Sequence, residues 1–425
     1  MNKIRLRHNF FKESEFSSNV FTLFSGTLIA QVIPLAISPI LTRMYTPESF
    51  GVLAFILGLT MIFVSFFNGR YDAAIIVPKE SSEAFSLFKL AMYLPFIMAA
   101  IVCGILWVMP QEMIAAFGIE AYLLFIIPVL ATLFTSYMAF DFVLNRKKLY
   151  KKMSKLVILR VLFVATFQII LGFLFDEGLV FGLVLGMLIV LIFGAISVYP
   201  HIKNQEASSM LTQTAKKYKN YPMYYMPHTF FNTLSNNIPM LLLPYLFTLS
   251  VAGFYMMALK VFYTPFSMLG TSIEKVFRKQ IIDMLHDKKE IGSQVEKMLY
   301  KIVAVSLIPF ALLVWWAPSI FSLVLGNIWT EVGIYVQILS PWIYMTFIVS
   351  VFIGIPIVLE EQKKSLVIEV VYFVLRTAGL VVGAVIYEDI YMALALYTLG
   401  GVVVVGYNLF WIYHLAQKTR TGRED

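Results

Sequence analysis

Three basic side chains stand in or at the ends of long apolar stretches of this sequence, where the chemistry open to them is the recognition of an anion. Lys260 lies about nine residues, or roughly 14 Å along a helix, into one such stretch. At that depth its ammonium is expected to face a polar cavity. Arg70 ends another stretch, where a basic residue is normal. Arg43 ends a third, and either pairs with Glu48 or contacts a substrate.

Polar side chains recur at helical spacing in a fourth apolar stretch. His228, Asn232 and Asn236 follow one another at intervals of four residues, and Asn237 adjoins them. A polar stripe in a membrane span more often lines a cavity than faces lipid. Gln31 aligns with Asn236 in a weak internal repeat described below, and is assigned to the same predicted lining.

Four further charges are expected inside spans. Glu369 and Arg376 are seven residues apart and share a helix face, which favours a structural role in which they pair through water or with neighbours. Asp141 and Arg160 lie near one interface, where snorkelling or a mutual ion pair is expected. Asp141, Glu369 and His228 are also candidates for proton coupling.

The sequence carries no catalytic signature. It has no phosphate-binding G-x-x-x-x-G-K-[ST] loop, no H-E-x-x-H and no G-x-S-x-G. Its 5 histidines do not fall at metal-ligand spacing, and its single cysteine, Cys103, excludes a cysteine-based metal cluster. We therefore expect neither an enzyme nor a cofactor or metal site.

The composition identifies the elements that must position these residues. Apolar residues make up 60% of the 425 residues and charged residues 14%, against roughly 45–50% and 25% in soluble domains. Such a chain cannot cover its apolar groups with polar surface, so an all-α integral membrane protein is predicted. The net charge of +8 then reflects the cytoplasmic face of a membrane protein, and no nucleic-acid partner is expected.

Twelve stretches are long and apolar enough to span a bilayer. They are 19–42, 50–70, 84–109, 120–144, 156–175, 179–200, 222–247, 251–272, 298–317, 334–359, 366–386 and 391–415. A tight turn at Asp176-Glu177-Gly178 separates the fifth from the sixth. The segment 273–297 reads either as an amphipathic helix lying on the membrane surface or as an extension of the eighth span.

The distribution of charge predicts the orientation. Basic residues gather at one set of span ends, as in Arg146-Lys147-Lys148, whereas Arg43 is the one basic residue at the other set, among several acidic residues. Basic residues mark the cytoplasmic side, so both termini are predicted to be cytoplasmic, which requires an even number of spans.

A weak repeat divides the chain into two sets of six spans. Pro34 and Pro39 in the first span match Pro239 and Pro244 in the seventh at the same spacing. Two repeats of six spans share one orientation and are related by an axis along the membrane normal. We predict an N-terminal bundle at 1–200, a cytoplasmic linker at 201–221 and a C-terminal bundle at 222–425. The first and seventh spans are expected at a central cleft.

Two segments then resemble a known family. Residues 41–51, LTRMYTPESFG, and 69–79, GRYDAAIIVPK, are similar to the first two loops of the bacterial polysaccharide flippases, the Wzx-like O-antigen translocases. In the second, Asp72 stands where the family commonly has Glu, and it is grouped with the coupling or structural charges. Residues 259–265, LKVFYTP, followed by Val276-Phe277, resemble the family's eighth span and the segment after it.

The resemblance implies the multidrug/oligosaccharidyl-lipid/polysaccharide exporter superfamily. Its fold has two six-helix bundles around a central cavity that is lined by the first, second, seventh and eighth spans. The implied activity moves an undecaprenyl-pyrophosphate-linked oligosaccharide across the bacterial inner membrane by alternating access, for O-antigen or capsule synthesis. A polysaccharide polymerase and a chain-length regulator are possible partners of a monomeric transport unit.

Three other functions remain open. A drug/cation antiporter of the same fold would need an acidic cavity, whereas the charges here are cationic. A membrane glycan polymerase would need a large outer loop, and the loops are short. A peptidoglycan-precursor flippase fits the same fold and charge pattern.

Overall fold

The computed structural model describes residues 25–110, 112, 118–203, 211–287, 289–359 and 361–418. The regular structure within these ranges is entirely helical. The predicted all-α, polytopic fold is confirmed. The beginning of the predicted first span, at 19–24, lies outside the described residues.

The first part of the chain folds into helices joined mostly by short turns. They are α1 (Ser25–Met44), α2 (Pro47–Val64), α3 (Tyr71–Ala74), α4 (Ser81–Val108), α5 (Ala121–Arg146), α6 (Tyr150–Gly172), α7 (Gly178–Ile202) and α8 (Leu211–Lys217). A five-residue π-helical turn, Tyr221–Tyr225, then leads into α9 (Met226–Leu246).

The second part is built in the same way. Its helices are α10 (Leu249–Ala258), α11 (Thr264–His286), α12 (Gly292–Trp315), α13 (Ala317–Leu325), α14 (Thr330–Ser350), α15 (Ile355–Val358), α16 (Gln362–Ile386) and α17 (Ile390–Lys418). A second π-helical turn, Leu259–Tyr263, joins α10 to α11.

Packing separates the chain into two compact units, and the division falls within α9, between Asn237 and Ile238. The beginning of α9 belongs to the first unit because its aromatic residues pack there, as in the edge-to-face contact of Phe230 with Phe66 at 6.0 Å. The linker placed at 201–221 from the sequence stays a prediction, and α8 begins within that range.

Eleven helical segments among the described residues are long and apolar enough to cross a membrane. They correspond to eleven of the twelve predicted spans. The remaining one is α9, which is 21 residues long and therefore long enough. Its asparagines, threonines and histidine lower its hydropathy, so α9 is the span whose composition least suits contact with lipid.

The tight turn predicted between the fifth and sixth spans is confirmed. Helix α6 ends at Gly172 and α7 begins at Gly178. The two helices pack closely because glycines on α7 face the backbone of α6. A Cβ added at Gly182 would lie 2.5 Å from the backbone nitrogen of Gln168, and one at Gly186 would lie 2.6 Å from that of Val164. The absence of a side chain permits this approach.

The segment that follows the eighth span begins as a helical continuation of that span. Leu249–Leu285 forms a helical run of 37 residues, as the extension alternative predicts, whereas a position on the membrane surface stays a prediction. Phe277 and Ile281 are buried, and the Phe277 ring packs edge-on against Phe352 at 5.5 Å. Protein covers these two apolar side chains, whereas Val276, on the same segment, is 73% exposed.

Candidate functional site

The connection between α2 and α4 carries a buried pair of opposite charges. Gly69 and Arg70 both adopt left-handed backbone conformations, with φ of 56° and 58°, and this sharp turn precedes α3. The Arg70 guanidinium approaches Asp72 at 3.9 Å, with the two side chains 11% and 0% exposed. It also lies 5.3 Å from the ring of Tyr225 in the first π-turn. Arg70 and Asp72 were both singled out in the sequence, but their pairing was not predicted.

Burial determines the acid–base behaviour of Asp72. Removal from water raises the pKa of this carboxyl above its ordinary 3.8, and the nearby Arg70 guanidinium offsets only part of that rise. The folded protein therefore holds a proton on Asp72 more tightly than the unfolded chain does. The stability contributed by this group is greatest below the unfolded pKa and is lost as the pH rises through the folded value.

Replacement of Asp72 by Asn should remove this pH dependence. We expect the melting temperature of Asp72→Asn, relative to the wild type, to rise as the pH increases from about 4 to 7. Thermal unfolding in detergent across that range measures the difference. Asp176→Asn is the control because Asp176 is exposed in the α6–α7 turn. A wild type that gains stability over Asp72→Asn as the pH rises would contradict the assignment.

Arg146, at the end of α5, fixes the same connection in place. Its guanidinium donates hydrogen bonds to the backbone carbonyls of Ile75, Pro78, Lys79 and Glu80, at 3.2, 2.5, 3.2 and 3.2 Å. Arg146 therefore secures the chain that follows Arg70 and Asp72. This role could not be predicted from residue types because backbone carbonyls are present in every segment.

The predicted polar stripe lies along α9. His228, Asn232 and Asn236 are exposed on the helix, and Asn237 is partly exposed. The amide of Asn236 donates to the Asn232 carbonyl at 2.9 Å, and that of Asn237 to the Thr233 carbonyl at 2.8 Å. Each of these two amides uses its NH₂ group on the helix backbone, and its side-chain carbonyl oxygen can act as an acceptor. The cavity-lining role of the stripe stays a prediction.

The two predicted residues of α1 have different surroundings. Arg43 is exposed, and its guanidinium donates to the Pro39 carbonyl at 2.7 Å. The choice between Glu48 and a substrate as its functional partner stays open. The Gln31 side-chain oxygen is buried and accepts no hydrogen bond within the described residues. A buried acceptor of this kind is normally satisfied, so Gln31 is a position where a polar ligand or water would be stabilised.

Arg160 lies against an aromatic ring and not in an ion pair with Asp141. The Arg160 guanidinium lies 5.0 Å from the ring of Tyr137, which is buried on α5. Asp141 and Arg160 form no ion pair within 4.0 Å of each other among the described salt bridges. The direct pair, one of the two predicted alternatives, is therefore not formed. Tyr137 was missed because nothing in the sequence distinguishes it from the other aromatic residues of the spans.

Lys260 lies in the second π-turn, between α10 and α11. Its side chain is partly exposed, and within the described residues it forms no ion pair or hydrogen bond. Pro265 lies two residues after this turn and has no backbone N–H to donate. The first π-turn likewise ends two residues before a proline, Pro227. A π-turn inside a helix is frequently found at a functional site.

The remaining predicted pair separates into different environments. Arg376 is 3% exposed on α16, and its guanidinium hydrogen-bonds to the Tyr372 hydroxyl. It forms no ion pair with a described carboxylate. Glu369, two turns earlier, is partly buried. The prediction of a structural pairing with neighbours stays a prediction for Glu369, whereas the described neighbours of Arg376 are aromatic.

The chain resembles known proteins in both sequence and fold. Residues 40–333 match the family described as "Polysaccharide biosynthesis protein". None of the curated proteins matches the chain. The lipid II flippase MurJ, in an inward closed conformation, aligns with a TM-score of 0.70 at 11% identity over 94% of this chain and 91% of its own.

Two transporters share the fold as well. An inward-facing multidrug resistance MATE family transporter of the MOP superfamily aligns with a TM-score of 0.63 at 13% identity, over 94% of this chain and 96% of its own. A MOP superfamily transporter from Pyrococcus furiosus is described as having a binding pocket of reversed polarity. It aligns with a TM-score of 0.56 at 12% identity, over 94% of this chain and 95% of its own. At these identities the likeness is one of fold. By the extent of the family match, the chain belongs to the polysaccharide biosynthesis protein family and is a multi-pass membrane protein with the fold of the MOP superfamily.

Proposed function

We propose that this protein is a flippase that moves an undecaprenyl-pyrophosphate-linked oligosaccharide repeat unit across the bacterial inner membrane, for the synthesis of O-antigen or capsule. The observation that carries the proposal is Lys260, a cation within a membrane span that has no carboxylate within 4.0 Å among the described residues. Intramembrane cations are normally neutralised by an acidic partner. An anionic cargo would supply that partner during transport.

The cargo combines an anionic pyrophosphate, a hydrophilic glycan and a long apolar tail. Transfer of the charged head through hydrocarbon is prohibitive. A hydrated cavity with cations removes most of this cost, while the tail stays in lipid. In this scheme Lys260, with Arg70 or Arg43, holds the phosphates. The polar stripe of α9 offers hydrogen-bond acceptors to the glycan.

Alternating access of the two helical units would carry the head from one side to the other. The sequence has no nucleotide-binding loop, so the driving force would be an ion gradient or the mass action of the substrate. Asp141, Glu369 and His228 are the candidate coupling groups. The proposal makes the protein a transporter and not an enzyme. It places both termini in the cytoplasm. Its candidate protein partners are a polysaccharide polymerase and a chain-length regulator.

A second candidate function is the flipping of a peptidoglycan precursor. The structural likeness to a lipid II flippase, with a TM-score of 0.70, favours it. Both cargoes carry a polyprenyl pyrophosphate, so the same cations would serve either. Transport of cationic drugs has the fold in its favour. The ammonium of Lys260, which has no ion-pair partner among the described residues, would repel such a cargo.

Reconstitution into liposomes tests these alternatives. The probes are an undecaprenyl-pyrophosphate-linked oligosaccharide and lipid II, each with a fluorophore on the sugar, and the cationic dye ethidium. We expect the oligosaccharide probe to become accessible to the impermeant quencher dithionite at a rate above that of protein-free liposomes. Faster flipping of lipid II would favour the second candidate. Uptake of ethidium without flipping of either lipid would contradict both.

A further inference from the structure

Three aromatic rings enclose the guanidinium of Arg376. Its central carbon lies 3.9 Å from the ring centre of Trp342, 3.8 Å from that of Tyr397 and 4.6 Å from that of Tyr372. The Trp342 and Tyr397 rings meet at 66°, so they form a corner around the cation. We call Trp342, Tyr372 and Tyr397 the aromatic cage.

Contacts within and around the cage fix the positions of its rings. The Trp342 indole N–H donates to the Tyr372 hydroxyl at 2.7 Å. The Tyr397 hydroxyl shares a hydrogen bond with Tyr255 at 3.1 Å. Tyr263 stacks on Trp342 at 5.3 Å. The cage is therefore supported by side chains of α10, the second π-turn, α14, α16 and α17. Tyr263 belongs to the same π-turn as Lys260, so the cage also anchors that turn.

Among the described residues, the three aromatic rings are the main groups that stabilise the charge of Arg376. The described residues offer Arg376 no carboxylate within 4.0 Å. Its Nε and Nη2 groups are buried and have no hydrogen-bond partner there. A buried cation without an ion pair is costly unless something else stabilises it. The faces of Trp and Tyr rings do so, and rings arranged in this way recognise organic cations.

We propose that the aromatic cage is a binding site for a guanidinium ion, and that Arg376 occupies it with its own side chain. The tethered group closes the site to cations from solution. Removal of the side chain beyond Cβ leaves a cage whose rings are still held by Tyr255 and Tyr263. A small alkylguanidinium that replaces the deleted atoms can then bind there. This inference stands apart from the proposed transport function, since it concerns binding alone.

Ethylguanidinium tests the proposal because it replaces the atoms that Arg376→Ala deletes. We expect Arg376→Ala to melt several degrees below the wild type in detergent. Ethylguanidinium at millimolar concentration, with ionic strength held constant, should restore much of that loss in a saturable manner. Ethylurea has nearly the same shape without the charge and should restore little. The wild type should not respond to either compound.

Arg278→Ala is the matched control, since Arg278 belongs to the same unit and its side chain is 41% exposed beside Glu274. Its melting temperature should not respond to ethylguanidinium. Equal restoration of Arg376→Ala by ethylurea, or none by ethylguanidinium, would overturn the proposal. If Arg376→Ala does not fold, Arg376→Lys and Arg376→Met give a second measurement. The lysine variant should melt above the methionine variant, and the reverse order would overturn the proposal.

Discussion

Lys260→Ala is expected to reduce flipping of the lipid-linked oligosaccharide by roughly 10- to 100-fold, the equivalent of one charge-assisted hydrogen bond to phosphate. The same substitution should leave the melting temperature unchanged or raise it. Lys260 has no ion-pair or hydrogen-bond partner among the described residues, so its removal breaks no such contact and takes a costly charge out of the span. Opposite effects on transport and stability distinguish a ligand-binding residue from a structural one.

Three further variants complete this experiment. Lys260→Met keeps the length of the side chain without the charge and should behave like Lys260→Ala. Lys260→Arg keeps the charge and should retain part of the transport. Lys275→Ala, at an exposed position further along α11, should flip the probe at the wild-type rate. The dithionite assay in liposomes measures all four variants. Wild-type flipping by Lys260→Ala would exclude this lysine from substrate binding.

The spans could be predicted from the sequence because their signal is local. About 20 apolar residues suffice to cross a bilayer, whatever the neighbouring helices do. The same local rule placed a break before Gly178 and identified α9 as polar. It also explains why the hydropathy of α9 is lower than that of the other spans. His228, Asn232 and Asn236 lower it whatever surrounds them.

The partners of three arginines could not be predicted in this way. Arg146 binds backbone carbonyls, Arg160 lies against Tyr137 and Arg376 lies among aromatic rings. A search for opposite charges finds none of these arrangements, because carbonyls and aromatic residues occur throughout the spans. The two π-turns could not be predicted for a related reason. Pro227 and Pro265 were visible in the sequence, but whether a proline kinks a helix or widens the preceding turn depends on packing around it.

Arg70→Gln is expected to destabilise the protein by about 3 kcal/mol, the typical cost of breaking one side of a buried ion pair. Asp72 is 0% exposed, and Arg70 is the one cation within 4.0 Å of it among the described salt bridges. Loss of Arg70 therefore leaves a buried carboxylate uncompensated or forces it to take up a proton. Glutamine adopts the left-handed conformation at position 70 no less readily than arginine, so the substitution adds little backbone strain.

The double variant Arg70→Gln/Asp72→Asn isolates the interaction between the two charges. If Arg70 acts by compensating Asp72, the second substitution should recover about 1–3 kcal/mol of the loss, so that the two effects are strongly non-additive. Thermal unfolding of the four proteins at pH 7 completes the cycle. Additive effects would mean that Arg70 stabilises the connection through Tyr225 or its own packing. The recovery should also shrink as the pH is lowered, because the pKa of Asp72 is raised by burial and its protonated form needs no cation.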